Sequence, residues 1–456
     1  MNEALGSVLY LVAASLFIFG LKRLSSPLTA RSGNLMGAVG MLLAVVLTLL
    51  QADIIDYTVI IAGILVGGTV GTLLARRVAM TGIPQLVAAF NGFGGAASGM
   101  VAAAEFLENA PSEVETAITV SISTVVGLAT FTGSFVAFGK LQGLIAGRPM
   151  LFRGQLFFDS VLVAGIVGTG IWMITSGDRT ALWLLIALAG LLGVTRTLPI
   201  GGADMPVIVA FLNSMSGLAA ASTGFVIGSH ALIISGALVG ASGLVLTAIM
   251  SRAMNRSLAN VLFAAFGGNG EGRPDDAGDG SVIRATIEDA AVTLAYARNV
   301  IVVPGYGLAV AQAQYAARDL ADRLAERGVE VRYAVHPVAG RMPGHMNVLL
   351  AEADVPYKQL LDLDEINDDF PRTDVALVVG ANDVVNPSAR EDPSSPIYGM
   401  PILDVDRAAT TIVIKRSLSP GFAGIDNPLF YLDATLMLFA DARAALEDLA
   451  RAVPEA

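Results

Sequence analysis

The sequence contains no cysteine and only three histidines in 456 residues. Without cysteine, disulfides, thiolate metal sites and redox thiols are excluded. The histidines lack the spacing of metal ligands, so no metal site is predicted. Charged residues are also scarce, at 15% against about 25% in average soluble domains. Together with a mean hydropathy of +0.67, this scarcity argues against a wholly soluble protein.

The few charges are divided unevenly along the chain. Residues 1–256 hold 12 Lys and Arg against 10 Asp and Glu, whereas residues 257–456 hold 16 against 29. We therefore predict a transmembrane domain over 1–256, a flexible linker over 257–283 and an acidic soluble domain over 284–456. Glycine and acid in the linker favour flexibility. An acidic domain lacks the basic surface that binds nucleic acid, so no such partner is expected.

Nine apolar stretches of the first half approach the roughly 20 residues that cross a bilayer. They cover residues 5–21, 34–51, 57–75, 83–105, 117–139, 157–175, 180–198, 204–228 and 230–250. If the first residue lies outside, the inner connections hold eleven Lys and Arg, Lys140 among them, and the outer ones hold only Arg179. This positive-inside bias predicts an outside N-terminus and a cytoplasmic soluble domain.

Two amides, Asn91 and Asn213, lie near the middle of apolar stretches, and Ser216 follows Asn213 by one helical turn. A mid-membrane amide facing lipid would cost several kcal/mol, so each needs a partner or water. Two interpretations remain open: hydrogen bonds that only pack the helices, or a polar path for protons. Asp204 and Arg256, at the predicted inner face, are either ordinary loop charges or residues that couple the two domains.

The second half alternates apolar β-branched runs with helical segments. A helix is predicted over 284–298, and a long amphipathic helix between the turn 304–307 and Gly328. Strands are predicted at 299–303, 329–335, 374–380, 410–414 and 434–439. Such alternation indicates a parallel sheet with helices on both faces, and ligands bind these sheets at the carboxyl ends of the strands.

The first strand leads into a G-x-G-x-x-V fingerprint formed by Gly305, Gly307 and Val310. Glycines there permit a tight turn and let a pyrophosphate approach the following helix. A dinucleotide site and an ordinary strand–helix turn both remain possible from this pattern alone. Val310 replaces the third glycine and would space the helix further from the sheet.

The ends of two other strands favour NADP over NAD. The strand after the fingerprint ends at Val335 and His336, where an NAD site usually offers an acid to the ribose. Lys415, Arg416 and Ser417 follow another strand and suit a 2′-phosphate, although a solvated cation pair is the alternative. His336 and His345 are interpreted as structural.

Several stretches closely resemble the beta subunit of proton-translocating NAD(P) transhydrogenases, and the resemblance covers essentially the whole chain. They are residues 201–206 and 253–257 in the first half, and 304–315, 336–353, 364–368, 380–383 and 415–417 in the second. The resemblance implies a multi-span helical membrane domain followed by a Rossmann-like NADP(H)-binding domain. It implies direct hydride transfer between NADP(H) and NAD(H) on a partner subunit, coupled to proton translocation.

The resemblance also implies which residues bind NADP(H). Residues 338–343, with Arg341, would lie along the pyrophosphate, 380–384 on the nicotinamide side, 415–417 on the 2′-phosphate and 421–424 over the nucleotide. The full set is Gly305, Tyr306, Gly307, Val310, Val338, Ala339, Gly340, Arg341, Met342, Pro343, Gly380, Ala381, Asn382, Asp383, Val384, Gly399, Met400, Lys415, Arg416, Ser417, Gly421, Phe422, Asp441 and Ala442.

Asp383 is the residue to which a catalytic and coupling role is assigned, and Asn91, Asn213, Ser216, Asp204 and Arg256 are assigned to the proton path. The family often has Tyr where Phe422 stands and His where Asn91 stands. Phenylalanine at position 422 lacks the hydroxyl of tyrosine. Asparagine at position 91 cannot ionise, so the group that titrates in the proton path would come from waters or a partner chain.

The resemblance implies alpha subunits that carry the NAD(H)-binding domain and further membrane helices, a dimer of protomers, contact with lipid, and the bacterial cytoplasmic (inner) membrane. The alternative is a channel or transporter with an NADP-sensing domain, although the spans contain no filter-like sequence and no charged substrate site. A quinone-reducing NADPH dehydrogenase would need a flavin or metal, and neither cysteine nor enough histidine is present.

Overall fold

The computed structural model describes residues 3–24, 27–51, 57–78, 82–109, 114–147, 149–201, 204–253, 281–341, 344–421 and 423–453. The chain divides into two compact units, Met1–Thr247 and Ala248–Ala456. Four predicted site residues and most of the predicted linker lie outside the described residues: Arg256, Met342, Pro343, Phe422 and residues 257–280.

Within the described residues, the N-terminal half of the chain forms nine helices that overlap the nine predicted stretches, and the last helix extends beyond Thr247. They are α1 (Glu3–Leu24), α2 (Pro27–Gln51), α3 (Tyr57–Arg77), α4 (Ile83–Glu108), α5 (Val114–Gln142), α6 (Gln155–Ser176), α7 (Arg179–Thr197), α8 (Met205–Val226) and α9 (His230–Ala253). Eight described helices, α2 to α9, are long and apolar enough to cross a membrane, and α1 carries the first stretch as a helix. The multi-span prediction is confirmed.

Glycines let several of these helices approach one another closely. A Cβ on Gly127 of α5 would lie 2.5 Å from the carbonyl oxygen of Gly95 on α4, and a Cβ on Gly217 of α8 would lie 2.4 Å from the nitrogen of Gly240 on α9. Small residues at such positions allow the backbone contacts that stabilise membrane bundles. At these positions, the glycines therefore serve helix packing.

The second unit contains a seven-stranded sheet in which all neighbouring strands are parallel. Its strands are β1 (Ile283–Arg284), β2 (Asn299–Pro304), β3 (Glu330–Val335), β4 (Leu360–Asp362), β5 (Val375–Val379), β6 (Thr410–Lys415) and β7 (Thr435–Phe439), in the order β1-β7-β6-β5-β2-β3-β4. The predicted parallel sheet is confirmed. The sequence missed β1 and β4, which have only two and three residues and so no hydrophobic period to detect.

The helices of this unit differ from the prediction in two respects. The helix predicted over 284–298 covers only Ile287–Ala295, because Arg284 belongs to β1, and the long helix predicted after residue 307 is interrupted. The helices are α10 (Ile287–Ala295), α11 (Tyr306–Val310), α12 (Gln314–Glu326), α13 (His345–Glu352), α14 (Leu363–Ile366), α15 (Ser388–Glu391) and α16 (Ala442–Ala452). The single long helix predicted after the turn 304–307 is wrong, because α11 ends at Val310 and Gln312 adopts a left-handed φ of 50°. The break separates α11 from α12, whose apolar face packs against α16.

The strand order places a topological switch point at β2. From β2 the chain continues to β3 on one side, whereas β5 lies on the other. In open parallel sheets, ligands bind in the crevice outside the carboxyl ends of the two strands at such a point. The segments that begin at Gly305, after β2, and at Gly380, after β5, therefore delimit the candidate site.

Candidate functional site

Glycine backbones join the turn after β2 to the turn after β5. The N–H groups of Gly305 and Gly307 donate to the carbonyl oxygens of Val379 and Gly380, each at 2.9 Å. A Cβ on Gly305 would lie 2.3 Å from the Cα of Ala381, and a Cβ on Gly307 would lie 2.7 Å from the Cα of Gly380. The fingerprint glycines are thus required for contact between two protein loops, in addition to any approach by a ligand.

Replacing Gly380 by alanine should destabilise this junction strongly. Gly380 has a φ of +65°, and its Cβ would lie 2.4 Å from the Cα of Gly307. Left-handed geometry costs about 1–2 kcal/mol for an L-residue, and overpacking adds about 1–3 kcal/mol. Gly380→Ala should therefore lower the melting temperature more than Gly328→Ala does, because position 328 has a φ of +84° but no atom within 4 Å of an added Cβ. Equal decreases in melting temperature would mean that the crowding at Gly380 is relieved without cost.

Arg341 lies against the turn after β2. Its guanidinium carbon is 4.4 Å from the centroid of the Tyr306 ring, within the range of a cation–π contact. The backbone N–H of Arg341 donates to Nδ1 of His345 at 3.0 Å. Two residues of the predicted pyrophosphate site, from different loops, are therefore brought together.

His336 fixes the start of the loop that contains Arg341. Its Nδ1 accepts the N–H of Val338 at 3.2 Å, so its Nε2 donates to the carbonyl oxygen of Pro401 at 2.8 Å. Burial lowers the pKa of His336 to about 4, and the imidazole is neutral at pH 7. These contacts agree with a structural role, and they connect the loop to the segment after Gly399 and Met400.

Asp383 and Asn382, directly after the β5 turn, hold the segment predicted to cover the nucleotide. Oδ2 of Asp383 accepts the N–H of Ala423 at 3.0 Å, and a Cβ on Gly421 would lie 2.4 Å from its Oδ1. The carbonyl oxygen of Asn382 accepts from Nδ2 of Asn427 at 3.1 Å. The predicted nicotinamide side and the predicted cover are therefore in direct contact.

Lys415 ends β6 next to the same segment. Its Nζ donates to the carbonyl oxygen of Ser419 and lies 4.7 Å from the centroid of the Phe430 ring. Burial lowers the pKa of the Lys415 ammonium to about 8, and the carboxylates of Asp383 and Asp426 oppose this shift. Arg416 and Ser417 are exposed, whereas Lys415 is half-buried. The three predicted phosphate ligands therefore differ in their exposure to solvent.

Three other predicted nucleotide residues, Val310, Met400 and Asp441, differ in their surroundings. Val310 is 44% exposed at the end of α11, whereas Met400 is buried among Ile397 and Ile402. Asp441 caps α16 by accepting the N–H of Arg443 at 3.0 Å. An acid that the sequence reasoning missed, Asp362, ends β4 beside Val335 of β3.

In the membrane unit, Asn91 lies where α4, α5 and α8 meet. Its Nδ2 donates to Oγ of Ser134 at 3.0 Å, and its backbone oxygen accepts the hydroxyl of Ser216 at 3.1 Å. Its Oδ1 is buried and has no hydrogen-bond partner among the described residues. Ser134 was missed because a single serine in an apolar helix carries no signal of its own. Asn213 is half-buried, one turn before Ser216.

Further polar groups lie along the same three helices. Toward one end, hydroxyls of Ser123 and Thr223 bond each other and the carbonyl oxygen of Ala219. Thr223 follows Ser216 by seven residues, about 10 Å along a helix. Toward the other end, Nε2 of Gln85 donates to the carbonyl oxygen of Leu141 at 3.2 Å.

Three charged residues at the helix ends are buried. Lys140, assigned by its sequence position to an inner connection, is instead in the last turn of α5, 6% exposed. Its Nζ donates to the carbonyl oxygens of Leu198 and Ile200, at 2.6 and 2.7 Å. Asp159 of α6 is fully buried, 3.5 Å from Nε of Arg196. Asp204 precedes α8 and is 8% exposed.

Comparison with known proteins identifies the family of this chain. A family model described as NAD(P) transhydrogenase beta subunit matches residues 6–452. Two curated relatives, one from Rhodospirillum rubrum and one from a named strain of it, are both called NAD(P) transhydrogenase subunit beta. Each is 49% identical over 463 residues, which cover 99% of this chain and 100% of the relative. The chain therefore belongs to the family of NAD(P) transhydrogenase beta subunits.

Proposed function

We propose that this chain binds NADP(H) at the carboxyl edge of its sheet and passes hydride directly between that nucleotide and NAD(H) on an alpha subunit. Membership of the family makes it a component of an oxidoreductase and translocase. The observation that carries the nucleotide assignment is the junction of Gly305 and Gly307 with Gly380 at the switch point. Two cationic residues flank this junction in the strand order: Arg341 lies in the loop after β3, next to β2, and Lys415 ends β6, next to β5.

The pyrophosphate and the 2′-phosphate each have candidate binding residues in this region. The pyrophosphate would lie by Tyr306 and Arg341, whose side chains are stacked. Lys415, Arg416 and Ser417 would hold the 2′-phosphate, because charge-assisted bonds to phosphate are stronger than neutral ones. Strand β3 itself ends at Val335, and the acid beside it, Asp362, belongs to β4, so the proposed preference for NADP over NAD rests on the cations and the hydroxyl at the end of β6. NADP(H) would supply the hydride donor or acceptor when bound.

Direct transfer between two nicotinamides depends on positioning more than on acid–base groups. Asp383 is suited to positioning, because its carboxylate accepts the N–H of Ala423 and packs against Gly421. A change at Asp383 would therefore alter how the segment after Gly421 covers the nicotinamide. This is the coupling role that we assign to it.

We further propose that protons cross the membrane along the contact of α4, α5 and α8. Asn91, Ser134 and Ser216 form its central part. Asn91 cannot ionise, so water bound at its unpartnered Oδ1, or a titrating group of the alpha subunit, would relay the proton. Asp204 and Arg256 are proposed to couple proton movement to opening and closing of the nucleotide site.

The proposed location is the bacterial cytoplasmic membrane, with the N-terminus outside and the nucleotide-binding domain in the cytoplasm. Support comes from the excess of Lys and Arg in the predicted inner connections. The proposed assembly contains alpha subunits that carry the NAD(H) site, in a dimer of protomers surrounded by lipid.

The decisive experiment uses the chain co-expressed with its alpha subunit in sealed vesicles. Deuterium at C4 of NADPH should appear in a reduced NAD analogue without loss to water, and a pH-sensitive dye should report coupled proton movement. Vesicles with the alpha subunit alone serve as the control. A nucleotide-gated channel would conduct ions on NADP addition without isotope transfer, and that result would overturn the proposal.

A further inference from the structure

We propose that His345 is a positioning residue for the nucleotide, because its imidazole holds the loop of residues 338–341 so that Arg341 lies over Tyr306. This inference rests on the proposed NADP(H) site and adds a residue to it. His345 is 1% exposed and begins α13, so it acts from beneath the loop and does not contact the ligand.

The loop backbone passes directly against the imidazole. Nδ1 of His345 accepts the N–H of Arg341 at 3.0 Å. Gly340 has a φ of +105°, and a Cβ on it would lie 2.5 Å from Nδ1. The imidazole ring therefore requires glycine at position 340. A larger residue there would leave no room for the hydrogen bond between His345 and the backbone of Arg341.

The same ring also contacts the turn after β2. The centroids of His345 and Tyr306 are 6.4 Å apart, at an interplanar angle of 53°, a geometry typical of aromatic pairs. The guanidinium of Arg341 lies against Tyr306 as well. One buried side chain thus touches both segments that the proposed function places along the pyrophosphate.

The hydrogen bond requires a neutral imidazole with its proton on Nε2. Burial and the charge of Arg341 lower the pKa of His345 to about 4, so the ring is neutral near pH 7. Its Nε2 is buried without a hydrogen-bond partner among the described residues. The bond at Nδ1 alone therefore selects the tautomer.

Two substitutions separate this hydrogen bond from simple filling of space. Asparagine places an acceptor oxygen near the position of Nδ1 but leaves a small cavity. Leucine fills a similar volume but leaves the N–H of Arg341 without an acceptor. A hydrogen-bonding role predicts that His345→Asn is the milder change, and a packing role predicts the reverse.

The test measures NADP and NAD binding by calorimetry on the full chain with its alpha subunit in lipid nanodiscs. We expect His345→Leu to weaken NADP binding about tenfold, the value of one hydrogen bond in such a site. His345→Asn should stay within about twofold, a few tenths of a kcal/mol. In an Arg341→Ala background, the Leu substitution should have no further effect, because it acts through the placement of Arg341.

Normal NADP binding by His345→Leu, or weaker binding by His345→Asn than by His345→Leu, would overturn the inference. Should the Leu variant fail to fold, ¹⁵N spectra of histidine-labelled wild-type protein decide the matter, because a proton on Nδ1 would exclude the bond. Failure of the proposed function is distinguishable, since wild-type protein would then show no preference for NADP.

Discussion

Replacing Lys415 and Arg416 together by alanine should weaken NADP binding by about 10²–10⁴-fold, because each charge-assisted bond to phosphate contributes about 1.5–3 kcal/mol. Lys415 ends β6 and Arg416 follows it, so both lie at the carboxyl edge of the sheet. Calorimetry on the full chain measures the change, and affinity for NAD, which has no 2′-phosphate, should change little. Unaltered NADP affinity would show that the 2′-phosphate binds elsewhere.

The contribution of Lys415 can also be observed without removing it. Burial lowers its pKa to about 8, and only the protonated ammonium attracts phosphate, so NADP affinity should fall as the pH rises from 7 to 9. Lys415→Arg is the matched control, because a guanidinium stays charged throughout this range. Wild-type affinity that is constant between pH 7 and 9 would contradict the assignment.

Asn91→Leu should abolish proton-coupled reduction of NADP and leave NADP binding intact. Asn91 joins α4 to α5 and α8 through Ser134 and Ser216, and its buried Oδ1 offers an acceptor to water. Leucine has a similar size, and the serine hydroxyl can bond a carbonyl oxygen of its own helix instead, so the bundle should still form. Dye-reported proton movement in vesicles during transhydrogenation measures the effect.

Thr132→Val is a matched control for Asn91→Leu. It removes a hydrogen bond between helices, from Oγ1 of Thr132 to the carbonyl oxygen of Gly190 at 2.7 Å, but this bond joins α5 to α7. We expect the Thr132→Val protein to move protons during transhydrogenation as the wild-type protein does. If Asn91→Leu also pumped fully, Asn91 would serve helix packing only, and the proton path would lie elsewhere.

Most of the fold was predictable because it depends on properties that are local in sequence. Apolar length alone located the membrane helices, and buried β-branched runs located the five longer strands. The break at Gln312 was not predictable, because no glycine or proline lies between Leu308 and Arg327. A left-handed residue other than glycine is a result of tertiary packing, and composition does not reveal it.

In the candidate site, too, features that are local in sequence were predictable and features that depend on tertiary contacts were not. Gly305, Gly380 and Lys415 each follow or end an apolar β-branched run, so the sequence alone predicts that they share one edge of a parallel sheet. The contacts of His345 and Ser134 were not predictable, since each joins residues from different elements through side-chain geometry. Lys140 was assigned to a loop because a buried lysine that bonds two carbonyl oxygens has the same sequence signature as an exposed one.

The early end of α11 would affect how the proposed site holds the phosphates of a nucleotide. The helix after the glycine turn has only five residues, so few peptide dipoles add up at its N-terminus. In the proposed site, the attraction for the phosphates would depend mainly on Arg341, Lys415 and Arg416, whose fields are screened within about 8–10 Å at physiological ionic strength. Ionic strength would then determine how fully the proposed site is loaded with nucleotide.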